Sequence, residues 1–219
     1  MAFLMTDFGM PNFRSIGRSA IMLECADASM PQQRRLWTLA QAARGWTHID
    51  EAVVGAGNLT VVFDCHALDF ETLRAQLETG WAHALDQQLK ERTVEIAVHY
   101  GGNDGVDLRE VAQVAGLSEE EAITLHARAN YIVSFVGFLP GFAYLDGLDE
   151  RLHRPRRAQP RARVPAGSVA IAGAQSGVYP FDSPGGWHLI GRTDARMFDP
   201  SREPAALLQP GDRVRFVPA

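Results

Sequence analysis

The chain has 219 residues, 46% of them hydrophobic and 21% charged, with a formal net charge of −5. That length accommodates one large or two small domains, and the apolar share predicts a packed core. The acidic balance argues against a general nucleic-acid or membrane-surface binder, and no apolar run approaches the roughly 18 residues that span a bilayer.

The N-terminal stretch MAFLMTDFGMPNF lacks a basic region and a continuous apolar run, which argues against a secretory signal. Cys25 and Cys65 close the apolar runs IMLEC and VVFDC. They read as buried reduced thiols of a cytoplasmic protein rather than as a disulfide framework. SAIMLEC is a strand candidate, and Ser29 with Gln32 predicts a capping box opening a helix that presents Leu36, Leu39, Ala40 and Ala43 on one face. Gly45 stops that helix. Ile49–Val54, a GAGN turn and Leu59–Phe63 read as a hairpin. Asp69 caps a second helix with Phe70, Leu73, Leu77 and Trp81 on one face. A β-α-β-β-α order fits a small two-layer α+β sandwich over residues 1–90.

The polar run Asp86 to Arg92 is the expected domain boundary, placing a second domain at residues 91–219. TVEIAVHY alternates like a half-buried strand. Two short helices follow, one marked by Leu108, Val111, Ala112 and Ala115, the other by a Ser118/Glu121 capping box and continuing through Ile123 and His126. Beyond Asn130 the pattern changes to short strands at Ile132–Val136, Val169–Ala172, Trp187–Ile190 and Val214–Val217, broken by Gly and Pro. Short, closely spaced strands with frequent turns predict a barrel or sandwich. There is no internal repeat.

Tyr131 to Thr193 concentrates the residues that could carry chemistry. Arg151, Arg154, Arg156, Arg157, Arg161 and Arg163 crowd one segment of an acidic protein. Guanidinium forks bind carboxylate and phosphate; alternatively the segment is a solvated loop paired with Asp146, Asp149 and Glu150. Prolines flank Arg156 and Arg157 and restrict their backbone, which makes these two the preferred candidates. The turns VGFLPGFAYL, VPAGSVAIAG and SPGGW place Gly where main-chain N–H groups form an anion nest or where a barrel simply turns a corner. None is a standard phosphate loop. His153 inside the arginine loop is either a general acid or base, its pKa lowered by cationic neighbours, or structural. His188 follows GGW. The seven histidines lack metal-binding spacing, so no metal site is expected. Ser168 and Ser176 have no nucleophile-elbow context. Tyr144, Tyr179 and Trp187 either wall a pocket or fill a barrel end; Gln175 could orient an amide or a water, and Arg192 stands nearby in sequence. With Phe138, Pro140, Gly141, Gly185 and Gly186 from the turns, these are the candidate substrate- or nucleotide-binding residues; His153, Arg156 and Arg157 are the candidate catalytic ones.

GFLPGFAYL, LHRPRR, VPAGSVAIAG, AQSGVYP, SPGGWHLIGRT and PGDRVRF resemble the B subunit of bacterial ATP-dependent 5-oxoprolinase. That family was long labelled allophanate hydrolase subunit 1 and includes an inhibitor of a sporulation histidine kinase. MPQQRRLWTLAQ, GAGNLTVVF, YGGNDGVDL and GLSEEEAITLH extend the resemblance over nearly the whole chain; Ser176 stands where the family pattern has Thr. The resemblance implies an α+β fold, an N-terminal sandwich followed by a C-terminal cyclophilin-like β-barrel. It implies partners: a second cyclophilin-like barrel protein, the C subunit, and an A subunit resembling a lactam-utilisation protein. It also implies an activity, the opening of 5-oxo-L-proline to L-glutamate with ATP as co-substrate, with magnesium in the complex. The same paired modules resemble the carboxyltransferase part of urea carboxylase, so an amide- or urea-processing role is an alternative. A non-enzymatic regulator of a histidine kinase is another. Prolyl isomerisation follows only from the barrel and ranks last. A partner-facing surface would show as an apolar patch, with the GFLPGFAYL and GVYPF turns as its candidates.

Overall fold

The structure, a computed structural model, describes residues 9–84 and 92–219. It has two compact units, Met1–Lys90 and Glu91–Ala219. Of the boundary segment expected at Asp86 to Arg92, only Arg92 lies among the described residues.

The first unit runs β1 (Asn12–Ile16), β2 (Ala20–Glu24), α1 (Met30–Ala43), β3 (Ile49–Gly55), β4 (Asn58–Phe63) and α2 (Phe70–His83). The strands form one antiparallel sheet in the order β1-β2-β4-β3. Leu59, Val61 and Phe63 alternate into the core, as a sheet with one covered face requires. Leu36, Leu39, Ala40 and Ala43 of α1 and Leu73, Leu77 and Trp81 of α2 are buried as their periodicity predicts. Two expectations are corrected. The order begins with an extra strand: NFRSI is a mostly exposed edge strand whose pattern carries no alternation. The Ser29/Gln32 capping box does not form, because Asp27 Oδ1 takes both the Ser29 N–H (2.8 Å) and Gln32 Nε2 (3.0 Å). Asp69 does cap α2, accepting the Thr72 N–H.

The second unit is built on a closed barrel. Its elements are β5 (Thr93–Tyr100), α3 (Leu108–Val114), α4 (Glu119–Arg128), β6 (Tyr131–Val136), β7 (Ala143–Asp146), a 3-10 turn at Glu150–Leu152, β8 (Arg161–Val164), β9 (Ser168–Ala172), β10 (Gln175–Val178), β11 (Ser183–Gly185), β12 (His188–Arg192) and β13 (Arg213–Pro218). The barrel closes in the order β10-β7-β6-β13-β5-β12-β9, with β5 and β13 parallel and the other pairs antiparallel. β8 and β11 form a separate two-stranded ribbon. The Ser118/Glu121 capping box opens α4 as expected. The strands β7, β8, β10 and β11 have no counterpart among the expected ones. RARV, QSGV and SPG are too short and too rich in Gly, Pro and Arg to show a period, and pairing with neighbours makes them extended.

Alternation along the barrel strands creates two cores. Val169 and Ile171 on β9 face inward with Ile96, Val98, Val133, Leu145, Ile190, Val214 and Phe216, and α3 and α4 add Leu108, Val111, Ala112 and Ala122 to the same cluster. Ala170 and Ala172 face the other way, into a second cluster with Phe142, Val164, Tyr179, Trp187 and Leu189. This outer cluster supports the candidate site.

Candidate functional site

The arginine loop is anchored by a carboxylate fifty residues away in sequence. Asp107, 4% exposed, accepts Arg157 Nη1 at 3.0 Å and Arg161 Nη2 at 2.7 Å on Oδ1, and the Leu189 N–H at 2.7 Å on Oδ2. The Arg157 N–H donates to the Gly186 carbonyl (2.8 Å), tying the loop to the SPGGW turn. Arg151 pairs with Asp149 and Arg163 with Asp182, both on the surface. Of the expected acidic neighbours, Asp149 is therefore used, while Asp146 has other partners. Asp107 lies in the YGGNDGVDL motif ahead of α3, but nothing in that string marks it as the partner of the arginine loop. Arg156 is the exception in the loop: it is exposed and has no hydrogen bond or ion pair among the described residues.

Arg156 lies within electrostatic reach of two tyrosines. Its Cβ is 3.9 Å from where a Cβ on Gly186 would lie, and its charge acts on both Tyr144 and Tyr179. Burial raises the pKa of each phenol, and Arg156 pulls each partly back. Tyr144 stacks on Phe135 (centroids 4.2 Å, planes at 21°). Phe142 is the hub, edge-on to Tyr144 (5.0 Å), Tyr179 (5.2 Å) and Trp187 (5.5 Å), with Phe138 against it at 5.7 Å. Phe142 and Phe135 are not among the residues that sequence reasoning singles out, although GFLPGFAYL contains the first. Phe138 is 61% exposed and held at φ 70°, a left-handed conformation that is costly without glycine. Pro140 is exposed beside it.

The glycines divide by cause. Gly141 (φ +82°) backs onto Phe198, where a Cβ would come within 2.8 Å of the Phe198 Cβ, and a Cβ on Gly185 would lie 2.4 Å from the Tyr179 hydroxyl. Packing explains both. A Cβ on Gly186 would meet nothing nearer than Pro160 at 3.7 Å, so the fold does not require glycine there. Its bare backbone leaves room beside Arg156.

A polar set lies on neighbouring strands. Asp146 on β7 and Gln175 on β10 are register partners, and Gln175 Nε2 donates to Asp146 Oδ1 at 2.7 Å. Ser134, in the β6 bulge, donates its hydroxyl to Asp146 Oδ2. Gln175 is thus a strand residue with an oriented amide; Ser134 is an addition that no sequence signal marks, and Asp146, expected beside the arginines, serves Gln175 and Ser134 instead. Two candidates stand apart. His153 is exposed, with Nε2 3.0 Å from the Leu148 carbonyl, and Arg192 is exposed at the end of β12, its charge acting on Asp182.

Inside the barrel runs a buried relay. Ser176 Oγ donates to the Ala170 carbonyl (3.2 Å), so it accepts from His126 Nε2 (2.8 Å), and Nδ1 then accepts the Tyr100 hydroxyl (2.7 Å). Phe216 and Tyr131 pack on the His126 ring, and burial pushes its pKa down to about 3. The ring is neutral and structural, so Ser176 does not act as a nucleophile prepared by a solvent-linked base. Among the described residues no group of three or more His, Cys, Asp or Glu is placed to hold a metal ion, and no helix is long and apolar enough to cross a membrane.

A barrel with this outer face matches a known architecture. Residues 11–208 match the family described as carboxyltransferase domain, subdomain C and D. The chain belongs to that family and, within it, to the relatives of the 5-oxoprolinase B subunit. It is 45% identical to the 5-oxoprolinase B subunit of Escherichia coli O157:H7 over 205 residues, 93% of this chain and 94% of that one. A crystal structure of the protein TTHA0988 superposes with a TM-score of 0.81 at 40% identity, covering 91% of this chain; the chain spans 40% of that protein's length. The Kluyveromyces lactis urea carboxylase matches 98% of this chain and 22% of its own, with a TM-score of 0.73 at 19% identity, a likeness of fold alone.

Proposed function

We propose that this chain is one subunit of an ATP-dependent 5-oxoprolinase that opens 5-oxo-L-proline to L-glutamate and acts only with partner subunits. Family membership supplies the class of complex. The observation that carries the reading is Arg156, an exposed guanidinium without a hydrogen bond or ion pair among the described residues, within electrostatic reach of Tyr144 and Tyr179 and beside the open backbone of Gly186. A small lactam acid needs a cation for its carboxylate, a flat face for its ring and an oriented amide partner. Arg156, the Phe135–Tyr144 stack and the Gln175–Asp146–Ser134 set match those needs in turn. Arg157 serves the same site by holding the loop on Asp107.

A five-membered lactam is a resonance-stabilised amide that water attacks slowly, and ATP would supply activation of its carbonyl oxygen by phosphorylation. The residues of this chain bind and orient. Arg156 also fits a phosphoryl oxygen, whereas no described carboxylate cluster fits magnesium. Phe138 and Phe181, 61% and 41% exposed in the two aromatic turns, are the proposed contacts for a partner protein.

The test is ATP-dependent glutamate release from 5-oxoproline by the chain alone and with candidate A and C subunits. Turnover is expected only in the full mixture. Arg156→Ala should lower it at least tenfold, about 1.4 kcal/mol of barrier, with an unchanged melting temperature. No turnover with partners that work beside an authentic B subunit would reject the reading in favour of a regulator or another amide.

A further inference from the structure

The inner side of the arginine loop carries a charge imbalance that the protein's own groups do not settle. Arg157 and Arg161 share the single buried carboxylate of Asp107, which already accepts a backbone N–H. Arg154 adds a third guanidinium with its side chain 13% exposed. It faces the exposed carboxylate of Glu110 at 3.9 Å, beyond hydrogen-bond reach. Buried cations normally keep enough acceptors to balance them.

Here four buried polar atoms have no hydrogen-bond partner among the described residues: Arg154 Nη1, Arg157 Nε, Arg161 Nη1 and His188 Nδ1. Three of them are tied to Asp107, directly or through Leu189, and Arg154 faces Glu110, three residues further along the same segment. Arg157 and Arg161 meet on the same oxygen, and His188 precedes Leu189, whose N–H meets the other oxygen of that carboxylate. The His188 ring reaches the Pro155 carbonyl, between Arg154 and Arg157 in the chain, through Nε2 at 3.0 Å. A carbonyl only accepts, so Nε2 carries a proton, and in that neutral tautomer Nδ1 is the ring's acceptor. His188 is 5% exposed. Three guanidinium donors and one imidazole acceptor are the complement of a small oxyanion that retains one proton.

We propose that Arg154, Arg157, Arg161 and His188 form a buried binding site for a small protonated oxyanion of the hydrogen phosphate or bicarbonate class. The anion would balance the second and third guanidinium charges while its O–H is taken by His188 Nδ1. This site is separate from Arg156, which faces outward, and it does not rest on the lactam reading.

The test is calorimetric titration of the full-length chain with inorganic phosphate and, separately, bicarbonate at neutral pH, with chloride at matched ionic strength as the control. One of the two oxyanions is expected to bind saturably, and which one does so separates the two sources. Affinity should fall at least tenfold in Arg154→Gln and stay unchanged in Arg151→Gln, whose guanidinium is engaged on the surface with Asp149. Circular dichroism of Arg154→Gln, with Arg154→Lys as the milder variant, establishes that the fold is intact. No heat beyond the chloride control, or equal affinity in Arg154→Gln and wild type, would overturn the proposal and assign those N–H groups to ordered water.

Discussion

Two neighbouring arginines in one proline-held segment have opposite situations. Arg156 points outward without a protein partner, while Arg157 is drawn onto Asp107. Both lie between Pro155 and Pro160, and the difference comes from what each side chain meets. Asp107 is the residue on which the loop depends. Asp107→Ala would leave two largely buried guanidiniums and the Leu189 N–H without their acceptor, a loss of about 3–5 kcal/mol in unfolding free energy by the usual cost of breaking a buried ion pair. Urea denaturation measures it, and a change well below that range, about 1 kcal/mol or less, would mean that the clamp is dispensable. The same logic separates the glycines: Gly185 is glycine because Tyr179 lies against it, Gly186 for no reason within the chain.

At the scale of elements, α4 is joined to the barrel by His126, which bridges β5 at Tyr100 and β10 at Ser176. The neutral ring makes this junction sensitive to acid. In the unfolded chain a histidine takes a proton near pH 6.5; in the fold burial holds His126 down to about 3. Above about pH 6.5 both states are neutral and the group contributes no pH dependence. As pH falls from about 6.5 toward 3, only the unfolded state binds the proton, so stability drops by up to about 1.4 kcal/mol per pH unit. Asp149, lowered to about 2 chiefly by its hydrogen bond with Arg151, loses its contribution only at lower pH. Unfolding free energies between about pH 6.5 and pH 4.5 should therefore fall more steeply in wild type than in His126→Gln, and equal slopes would contradict the account.

At the scale of the whole molecule, the C-terminal unit has the parts of an independent fold. Its barrel closes, leaving the strands within it without an open edge, and one cluster fills it. Arg92, at its start, donates Nε to Asp212 at 3.1 Å and Nη2 to the Leu207 carbonyl at 2.7 Å, joining the two ends of the unit. A fragment of residues 92–219 should unfold in one cooperative transition and retain its β-rich circular dichroism. A broad transition with strong dye binding to exposed apolar surface would show that it depends on the first ninety residues.

Much of this molecule is legible in its residues. The faces of α1 and α2, the caps at Asp69 and Ser118, and the longer strands carry periodicity that local backbone geometry imposes wherever the chain folds. The motifs from GFLPGFAYL to PGDRVRF are enough to point to the family, because several ordered strings together are more specific than any one pattern. The residues alone also nominate Arg156, Tyr144, Gln175 and Trp187. They do not rank Arg156 against Arg157, since the deciding carboxylate lies fifty residues upstream. Nor do they reveal the edge strand β1 or the four short strands, whose extended form comes from their partners rather than from propensity. Phe142, Ser134 and the Tyr100–His126–Ser176 relay are hidden for the same reason: each is defined by a contact between distant segments. Periodicity and turn chemistry are local and can be read along the chain, whereas charge pairing, aromatic packing and burial exist only once the barrel has closed.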